Sequence, residues 1–506
     1  MNTPLTPSLE EFRALAEQGN LIAVSTELIA DAETPVSAFQ KIDDGGYSFL
    51  LESVEKSDQA GRYSFVGSGP SLIFESRGRH VRVTENAKIR EFDTETDPLR
   101  ELETLMKRYQ PVPSPGAGES RFAGGAVGYL SYDMVRFFEP SIAAAPKDEL
   151  ELPEMLFVIA ETLLIFDHRT RRLRVVSNAL IGEAGADAAY AEAGRRIEAI
   201  LARLAKPAEL PNIPIGPAPE RLDPRANTAP TEYQQMVRDS QEYIHAGDIF
   251  QIVPSQRFET DYTGDALTLY RTLRFVNPSP YMFCIKCAGA FSLVGSSPEV
   301  HVRAMNGRVE IRPIAGTKLR GKDAQEDESN AAALLADPKE RAEHLMLVDL
   351  ARNDVGRIAE YASVRVTDFM TIEKYSHVMH IVSNVTGDLR PEKNAYDVMR
   401  ATFPAGTVSG SPKVRAMQII NQLEKSKRGV YAGAVGYFGF DGNHDSCIAL
   451  RTVVLKDGKA YVQAGAGVVA DSTPEGEHQE CVNKAMGMMA AIARAKLIPP
   501  AAEPNV

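Results

Sequence analysis

Short apolar runs separated by turn-forming residues dominate the first part of the chain. Such runs are typical of β-strands, and only a few stretches carry the 3.6-residue period of a helix. The predicted strands cover residues 47–51, 63–66, 71–75, 80–83, 155–167 and 173–177, and the predicted helices cover 98–109 and 184–204. This pattern predicts an α+β fold with a mostly antiparallel sheet.

The second part of the chain carries clearer helix signals. Pro230 opens a stretch in which apolar residues recur at helical spacing, and Gly247 ends it. Two further helices are predicted at 338–351 and 474–495, because each begins with a proline that follows an Asp or Thr cap. Predicted strands cover 249–258, 281–287, 291–296, 299–303 and 308–311. The second part is therefore also α+β.

A proline-rich stretch separates the two parts. Five prolines lie between positions 207 and 219 with little apolar periodicity, which is typical of an extended connector. We therefore predict an N-terminal domain at residues 1–206, a linker at 207–229 and a second domain at 230–498.

One short segment of the chain is repeated. Residues 125–133 (GAVGYLSYD) and 433–441 (GAVGYFGFD) agree at six of nine positions. Both copies are predicted to be glycine-rich strands in which small residues admit a neighbouring backbone. Either the two strands are independent of each other, or they mark two related sheets that face each other.

Composition and charge narrow the class of protein. The chain has 506 residues, of which 44% are hydrophobic and 25% charged, as in soluble globular proteins of more than one domain. Its net charge of -12 repels nucleic acid, and its most apolar stretch, residues 155–166, is too short to cross a membrane. Four cysteines are too few for a disulfide framework, and Cys284 and Cys287 are expected in a buried strand. No leader segment is apparent, so we expect a cytoplasmic protein without nucleic-acid or membrane partners.

Two Glu-x-x-Glu motifs are candidates for chemistry. Glu340 and Glu343 lie early in one predicted helix, and Glu477 and Glu480 lie early in another. A spacing of three puts each pair on one helical face, so two facing helices could present four carboxylates to a hard cation such as Mg²⁺. Acidic residues are also common in the first helical turn, where they favour the helix dipole, and both interpretations stay open.

Glycine-rich segments are candidates for an anion site. Segments 406–413 and 465–467 place glycines where backbone N–H groups could approach an anion, although neither matches a nucleotide-binding motif. Arg451 and Lys484 could complete such a site. Turns that require glycine, and an ordinary i,i+4 pair between Glu480 and Lys484, explain the same residues equally well. The residues alone thus indicate an α+β protein with candidate sites for Mg²⁺ and a small anion.

Several segments together resemble the chorismate-utilising enzymes, and within them the branch that forms anthranilate. The matching segments are 50–53 (LLES), 249–257 (IFQIVPSQR), 277–282 (NPSPYM), 295–299 (GSSPE), 312–317 (RPIAGT), 343–354 (EHLMLVDLARND), 406–413 and 465–484. The resemblance implies a sandwich of large antiparallel sheets with outer helices. It also implies an activity, the Mg²⁺-dependent amination of chorismate at C2 with ammonia, followed by loss of pyruvate.

The resemblance also implies roles for residues of this chain. Glu343 and Glu480 would bind Mg²⁺ directly, and Glu340 and Glu477 would support the ion through water. The pocket for the substrate carboxylates would comprise Gly316, Thr317, Tyr431, Arg451, Gly465, Ala466, Gly467 and Lys484. Catalytic roles would fall to Glu299, as the acid for the departing C4 hydroxyl, and to His380 and Thr407.

Two positions separate this branch from its relatives. Relatives that add water carry a lysine base where Gln251 stands, and a neutral amide cannot usefully accept a proton from water. Aminodeoxychorismate synthases often carry a lysine nucleophile where Ala315 stands, and alanine cannot attack. Aminodeoxychorismate synthase component I is the alternative enzyme, and a catalytically inactive tryptophan-binding regulator is the alternative from another class.

Partners and regulation follow from the same resemblance. No cysteine of this chain lies in the glycine-rich elbow of a glutaminase, so ammonia is expected from a separate glutamine amidotransferase subunit in a hetero-oligomer. As the first committed step of tryptophan biosynthesis, the reaction is expected to be inhibited by tryptophan at a separate site. That site would comprise Leu50, Glu52, Ser53, Asn277, Pro278, Tyr281 and Met282.

Overall fold

A computed structural model describes residues 4–53, 61–118, 120–143, 146–217, 219–375 and 378–498 of the chain. The α-helices in these ranges are α1 (Leu9–Leu15), α2 (Pro35–Ile42), α3 (Pro98–Met106), α4 (Val135–Phe138), α5 (Gly185–Leu204), α6 (Pro230–His245), α7 (Ala266–Val276), α8 (Ala324–Ala336), α9 (Pro338–Gly356), α10 (Ala395–Thr402), α11 (Lys413–Leu423) and α12 (Pro474–Lys496). Helices α3, α9 and α12 begin with proline after an Asp or Thr whose side chain accepts a hydrogen bond from a first-turn N–H. These caps explain why the predicted helix starts are confirmed.

The strands make up most of the remaining regular structure. They are β1 (Leu21–Ile29), β2 (Tyr47–Glu52), β3 (Tyr63–Ser68), β4 (Leu72–Arg77), β5 (His80–Glu85), β6 (Lys88–Asp93), β7 (Pro111–Val112), β8 (Gly125–Leu130), β9 (Met155–Ala160), β10 (Thr162–Asp167), β11 (Arg172–Leu180), β12 (Arg225–Ala226), β13 (Gln251–Ile252), β14 (Ser255–Asp261), β15 (Tyr281–Cys287), β16 (Phe291–Ser297), β17 (Val300–Met305), β18 (Arg308–Ile311), β19 (Ile314–Leu319), β20 (Arg365–Lys374), β21 (Val378–Asp388), β22 (Gly410–Ser411), β23 (Ala434–Gly439), β24 (His444–Ile448), β25 (Thr452–Lys456) and β26 (Lys459–Gly465).

Two large sheets contain nearly all of these strands. The first has the spatial order β12-β14-β26-β25-β16-β15-β2-β3-β10-β11-β1-β7. The second has the order β19-β21-β18-β17-β24-β23-β8-β9-β4-β5-β6, with β20 paired to β21, and β13 and β22 form a separate pair. Neighbouring strands are antiparallel except for the short parallel pair β1–β7. Each sheet takes strands from both parts of the chain, since β2 pairs with β15 and β8 with β23.

The two sheets face each other across a buried apolar layer. Phe49 and Phe283 of the first sheet and Tyr129 and Tyr437 of the second belong to one core cluster. A second cluster joins the first sheet to helices such as α6, α7 and α12, and a third joins the second sheet to α3 and α10. The predicted α+β sandwich of antiparallel sheets with outer helices is therefore confirmed.

The repeated segment forms neighbouring strands of one sheet rather than two facing sheets. Strand β8 lies antiparallel to β23, with Gly128 directly opposite Gly436. A Cβ atom at Gly128 would lie 1.9 Å from the Leu156 carbonyl oxygen, and one at Gly436 would lie 2.1 Å from that of Asp445. The glycines thus permit close backbone approach, as predicted, but the hypothesis of two facing sheets was wrong.

The proline-rich stretch connects α5 to α6 and carries only the short strand β12 among its described residues. The proposed domain boundary at 207–229 stays a prediction. All four cysteines are buried and free, and Cys284 and Cys287 lie in β15 as expected. Among the described helices, none has the length and apolar character needed to span a membrane.

Candidate active site

The four glutamates lie in the first turns of α9 and α12. The Asp337 side chain accepts hydrogen bonds from the N–H groups of Lys339 (2.9 Å) and Glu340 (3.2 Å), which fixes the start of α9. Thr473 accepts one from the Gly476 N–H (3.2 Å) and fixes the start of α12. The caps therefore set the direction in which each pair of carboxylates points.

The two helix starts bring their carboxylates close enough to repel. Burial, followed by the negative charge of Glu343 and by lesser effects that include Glu480, raises the pKa of Glu340. Burial and the charge of Glu480 raise the pKa of Glu477, against a hydrogen bond from Ser472. The Glu477 Oε2 atom is buried and has no hydrogen-bond partner among the described residues. Clustered, partly buried negative charge of this kind favours a bound cation.

Two of the glutamates have polar partners. Lys484, one turn after Glu480 on α12, lies 2.7 Å from its carboxylate and donates to the Gly465 carbonyl oxygen at 3.2 Å. Gln251 of β13 donates to Glu343 at 3.3 Å. The cluster is thus joined to the glycine segment that follows β26 and to β13.

The glutamate cluster is compatible with Mg²⁺. Across the described ranges, no group of three acidic, histidine or cysteine side chains is positioned to hold a metal ion. Mg²⁺ does not need one, because it keeps several waters and is usually held by one or two carboxylates together with an anionic substrate. The glutamates at the two helix starts, among them Glu477 with its orphaned buried oxygen, are therefore oxygen donors of the kind that Mg²⁺ takes.

Glu299 lies in the turn between β16 and β17, beside the Thr407 hydroxyl and within electrostatic range of Arg451 and Lys484. Burial raises the pKa of its carboxyl to about 8, although Thr407 and the two cations act in the opposite direction. Near neutral pH, Glu299 is therefore mostly a protonated acid surrounded by groups that favour a bound anion.

His380 lies on β21 of the second sheet, directly opposite Thr317 of β19. Its Nδ1 atom lies 2.8 Å from the Gly316 carbonyl oxygen and 3.2 Å from the Thr317 hydroxyl. Because a carbonyl can only accept, Nδ1 carries the proton and Nε2 is left as an acceptor. Burial lowers the pKa of His380, with Arg451 contributing, so the ring is neutral near pH 7.

Gly316 joins the histidine to the glutamates. Its φ of +67° is a left-handed value, and β19 has an irregular register at this point. A Cβ atom here would lie 2.9 Å from the Glu340 Oε2 atom. Glycine is therefore required both by backbone conformation and by the approach of the carboxylate.

The segment Gly465 to Gly467 lies between several polar groups. The Ala466 N–H donates to the Tyr233 hydroxyl at 3.3 Å, and a Cβ atom at Gly465 would lie 2.9 Å from the Tyr431 hydroxyl. A Cβ atom at Gly467 would lie 2.9 Å from Nε2 of Gln251. Small residues thus leave space around this backbone, as an anion site requires.

A buried ion pair that sequence reasoning missed supports these loops. Arg428 contacts Glu424 at 2.6 Å and donates to the carbonyl oxygens of Val408 (2.7 Å) and Val253 (2.6 Å). Glu424 also accepts from the backbone N–H of Ser255 at 2.8 Å. The pair therefore ties the 406–408 turn to the segment after β13. In the sequence, Glu424 and Arg428 are an acid and a base four residues apart. An ordinary pair on a protein surface has the same spacing, so the sequence does not distinguish the two.

The residues predicted for tryptophan are only partly assembled at one place. Glu52 of β2 lies opposite Met282 of β15. Both line a cavity of about 890 Å³ together with Ser53 and Tyr281. Leu50 instead packs in the core beneath this sheet, and Asn277 and Pro278 precede the strand that lines the cavity.

Glu52 already has partners within the protein. Its carboxylate accepts from the Tyr270 hydroxyl at 2.5 Å and lies 3.3 Å from the Arg274 guanidinium, both on α7. The Ser53 hydroxyl is buried and has no hydrogen-bond partner in the described part of the chain. The cavity thus offers both a fixed negative charge and an unused hydroxyl.

A carboxylate cluster joined to an anion cradle, on a sandwich of two antiparallel sheets, defines the class of site. A family model described as chorismate binding enzyme matches residues 48–490, and the chain belongs to this family. The family resemblance seen in the sequence is therefore confirmed.

Two relatives are similar to this chain over nearly its full length. The anthranilate synthase component 1 of Aquifex aeolicus is 46% identical over 489 residues, which are 96% of this chain and 98% of that protein. The protein of the same name from Pseudomonas aeruginosa is 44% identical over 492 residues, which are 96% of this chain and 99% of that protein.

Solved structures agree with the sequence comparisons. Anthranilate synthase component I from Streptococcus pneumoniae matches with a TM-score of 0.74 at 39% identity and covers 87% of this chain and 94% of its own. The menaquinone-specific isochorismate synthase of Escherichia coli, at 18% identity, has a TM-score of 0.70 over 96% of this chain and 98% of its own. The second match shows a common fold only.

Proposed function

We propose that this chain is the large subunit of an anthranilate synthase, which converts chorismate and ammonia to anthranilate, pyruvate and water. One observation carries the proposal. Charge interactions and contacts together link the acid Glu299 to His380: Glu299 senses the charge of Lys484, Lys484 pairs with Glu480, Glu480 and Glu340 repel, and Gly316 contacts both Glu340 and His380. We infer that this general acid, the acidic metal site and the neutral base act on one dianionic substrate.

Glu299 would act as the general acid. Ammonia adds at C2 of chorismate while the C4 hydroxyl departs, and that hydroxyl needs a proton to leave as water. A carboxyl whose pKa is raised to about 8 holds this proton near neutral pH. The same carboxyl at its usual pKa would have lost it.

The glutamates would hold Mg²⁺ with the substrate. Glu343 and Glu480 are the proposed direct ligands, with Glu340 and Glu477 supporting them through water. The ion, when bound, neutralises and polarises the ring carboxylate of chorismate as a Lewis acid. The residues proposed to cradle the substrate carboxylates are Gly316, Thr317, Thr407, Tyr431, Arg451, Gly465, Ala466, Gly467 and Lys484.

His380 would assist the second half of the reaction. Loss of the enolpyruvyl group as pyruvate requires removal of the C2 proton, and the ring then becomes aromatic. The neutral Nε2 of His380 is a suitable acceptor because Nδ1–H is engaged by the Gly316 carbonyl.

Two side chains favour this reaction over its relatives. Gln251 cannot act as a base toward water, and its amide instead donates to Glu343. Ala315, buried in β19, provides no nucleophile for a covalent intermediate. The product should therefore carry its amine next to the carboxylate, and pyruvate should be released.

Ammonia would come from a separate glutaminase subunit, in a cytoplasmic complex. The four cysteines support this inference, since all are buried and burial raises the pKa of each thiol, which disfavours the nucleophilic thiolate.

Tryptophan would inhibit the reaction from the cavity of about 890 Å³. Glu52 can pair with an α-ammonium group, and Met282 offers apolar surface to an indole. The Ser53 hydroxyl, which has no partner among the described residues, can bind the polar end. Linkage requires that tryptophan and chorismate weaken each other's binding by the same factor. Calorimetric titration of each ligand with and without the other tests this, and Ser53→Phe should abolish inhibition. Full inhibition of that variant would contradict the assignment.

The central experiment incubates the purified chain with chorismate and Mg²⁺ and follows anthranilate fluorescence. An ammonium salt at elevated pH should support turnover, whereas glutamine should not until a glutaminase subunit is added.

Glu480→Gln should reduce turnover by about 100-fold or more at unchanged melting temperature, and the exposed Glu328→Gln on α8 should not. Conversion of chorismate to a product other than anthranilate would refute the proposal. Turnover with glutamine by the chain alone would also refute it.

A further inference from the structure

A second cavity, of about 700 Å³, lies under the proline-rich connector on the helix side of the first sheet. Its walls come from the start of α2, from the end of β10, from α7, from α12 and from connector residues near Ile215. No residue assigned above to catalysis, metal binding or tryptophan contributes to these walls.

Positive charge prevails in this connector cavity. Its charged lining residues are Arg171, Arg271, Arg274, Arg494, Glu33 and Asp167. Both acids are already neutralised, since Glu33 pairs with Lys41, and Asp167 lies 3.0 Å from Arg62. Arg274 in turn pairs with Glu52 at 3.3 Å. Excess charge therefore resides on the three other arginines.

Two of those arginines keep donors without acceptors. The Arg271 Nη1 and the Arg494 Nε are buried, and the described residues provide neither with a hydrogen-bond partner. The remaining Arg494 nitrogens reach the carbonyl oxygens of Pro214 and Gly216 only at 3.5 and 3.4 Å. Burial also lowers the pKa of Arg271, against the charge of Asp265. Incompletely hydrogen-bonded guanidinium groups are costly, and two of them on the wall of one cavity favour an oxyanion as its ligand.

The rest of the lining is apolar. It includes Val36, Phe166, Leu210, Pro214, Ile215 and Phe275. Phe275 is 54% exposed and Ile215 is 82% exposed, so the protein itself leaves both surfaces uncovered. The Arg494 guanidinium lies 5.5 Å from the centre of the Phe275 ring, which places charge and apolar surface side by side. A ligand that combines the two features is therefore favoured over a bare ion.

We propose that the connector cavity binds a small carboxylate with an apolar body. The carboxylate accepts hydrogen bonds from Arg271 and Arg494, and the apolar body packs against Phe275 and Ile215. Inorganic phosphate would meet the same guanidinium groups but would leave the apolar walls exposed to water. This site is separate from the proposed reaction, so its presence does not depend on that assignment.

Calorimetric titration of the full chain with sodium benzoate at constant ionic strength tests the proposal. Wild type should bind one benzoate per chain, at least tenfold more tightly than inorganic phosphate. Arg271→Gln and Arg494→Gln should each weaken benzoate binding at least tenfold. Arg195→Gln, which removes the same charge from an exposed position of α5, should leave it unchanged.

Ile215→Ser provides a test that does not depend on a buried arginine. This exposed change should preserve the melting temperature, weaken benzoate binding and leave phosphate binding unaltered. Absence of saturable benzoate binding to wild type would overturn the proposal. Unchanged binding in Arg271→Gln, or equal affinity for phosphate, would also overturn it.

Discussion

The acidity of Glu299 illustrates how single side chains of this protein depend on their surroundings. The Thr407 hydroxyl and the charges of Arg451 and Lys484 all favour ionisation of its carboxyl, yet burial prevails and the pKa rises to about 8. The sequence indicated which glutamate to consider, through the family resemblance. The direction of the pKa shift follows only from the folded environment.

The pH dependence of turnover should report this group. With dissolved NH₃ held constant, kcat/KM for chorismate should be high below about pH 8 and fall above it, because the acid must be protonated. Glu299→Gln should lower kcat/KM by about 100- to 10,000-fold and remove that descending limb. Steady-state rates between pH 6 and 10 measure both effects. A limb that persists in the variant would assign it to another group.

Among the elements, the segments around the candidate site are held by one buried ion pair. Arg428 and Glu424 have side chains only 1% and 6% exposed, and together they bind the backbone of the 406–408 turn and of the segment after β13. A buried pair of this kind is more important for the arrangement of loops than for net stability, since desolvation offsets much of the attraction.

Removal of Arg428 alone should therefore be costly. Arg428→Met leaves the Glu424 carboxylate buried without its cation, and we expect a loss of about 3–5 kcal/mol in the free energy of unfolding. The double variant Glu424→Gln/Arg428→Met should recover a large part of it. Urea denaturation followed by circular dichroism compares the midpoints. Equal midpoints for the single and double variants would contradict the ion-pair explanation.

For the whole molecule, a buried histidine pair ties stability to pH. His301 and His444 both lie against the Ser446 hydroxyl, at 3.2 and 2.9 Å. Burial lowers the pKa of His301 to about 3, with His444 and Lys413 contributing, and lowers that of His444 to about 4, against the charge of Asp445. At the pH at which these histidines begin to bind protons in the unfolded chain, both rings are therefore still neutral in the folded protein.

Acid should consequently destabilise the fold from about pH 6.5 downward. Above that pH the two histidines are neutral in the folded and in the unfolded state, so they do not lower the free energy of unfolding. Between about pH 6.5 and pH 4 the unfolded chain binds two more protons, which costs about 1.4 kcal/mol per pH unit for each histidine. His444→Gln should reduce the slope of melting temperature against pH, whereas His245→Gln at the exposed end of α6 should not. An unchanged slope in the first variant would exclude this pair as the cause.

By itself, the sequence determined the class of the protein and part of its secondary structure. Proline after an Asp or Thr cap predicted the starts of α9 and α12, and short apolar runs predicted strands such as β2 to β5 and β15 to β18, because caps and periodicity act between near neighbours. The family motifs predicted the residues of the candidate site, and the structure joins some of them directly, as with Lys484 and Glu480 or His380 and Gly316.

Only the tertiary structure decided how these elements combine. The pairing of β8 with β23 and of β2 with β15 could not be read from the sequence, because strand partners far apart in the chain are selected by long-range packing. The raised pKa of Glu299, the ion pair of Arg428 and the unsatisfied arginines of the connector cavity likewise depend on burial and on which groups meet in space. The local sequence pattern determines whether a segment is a helix or a strand. Desolvation and contacts between distant segments determine the charge state and the partners of each side chain.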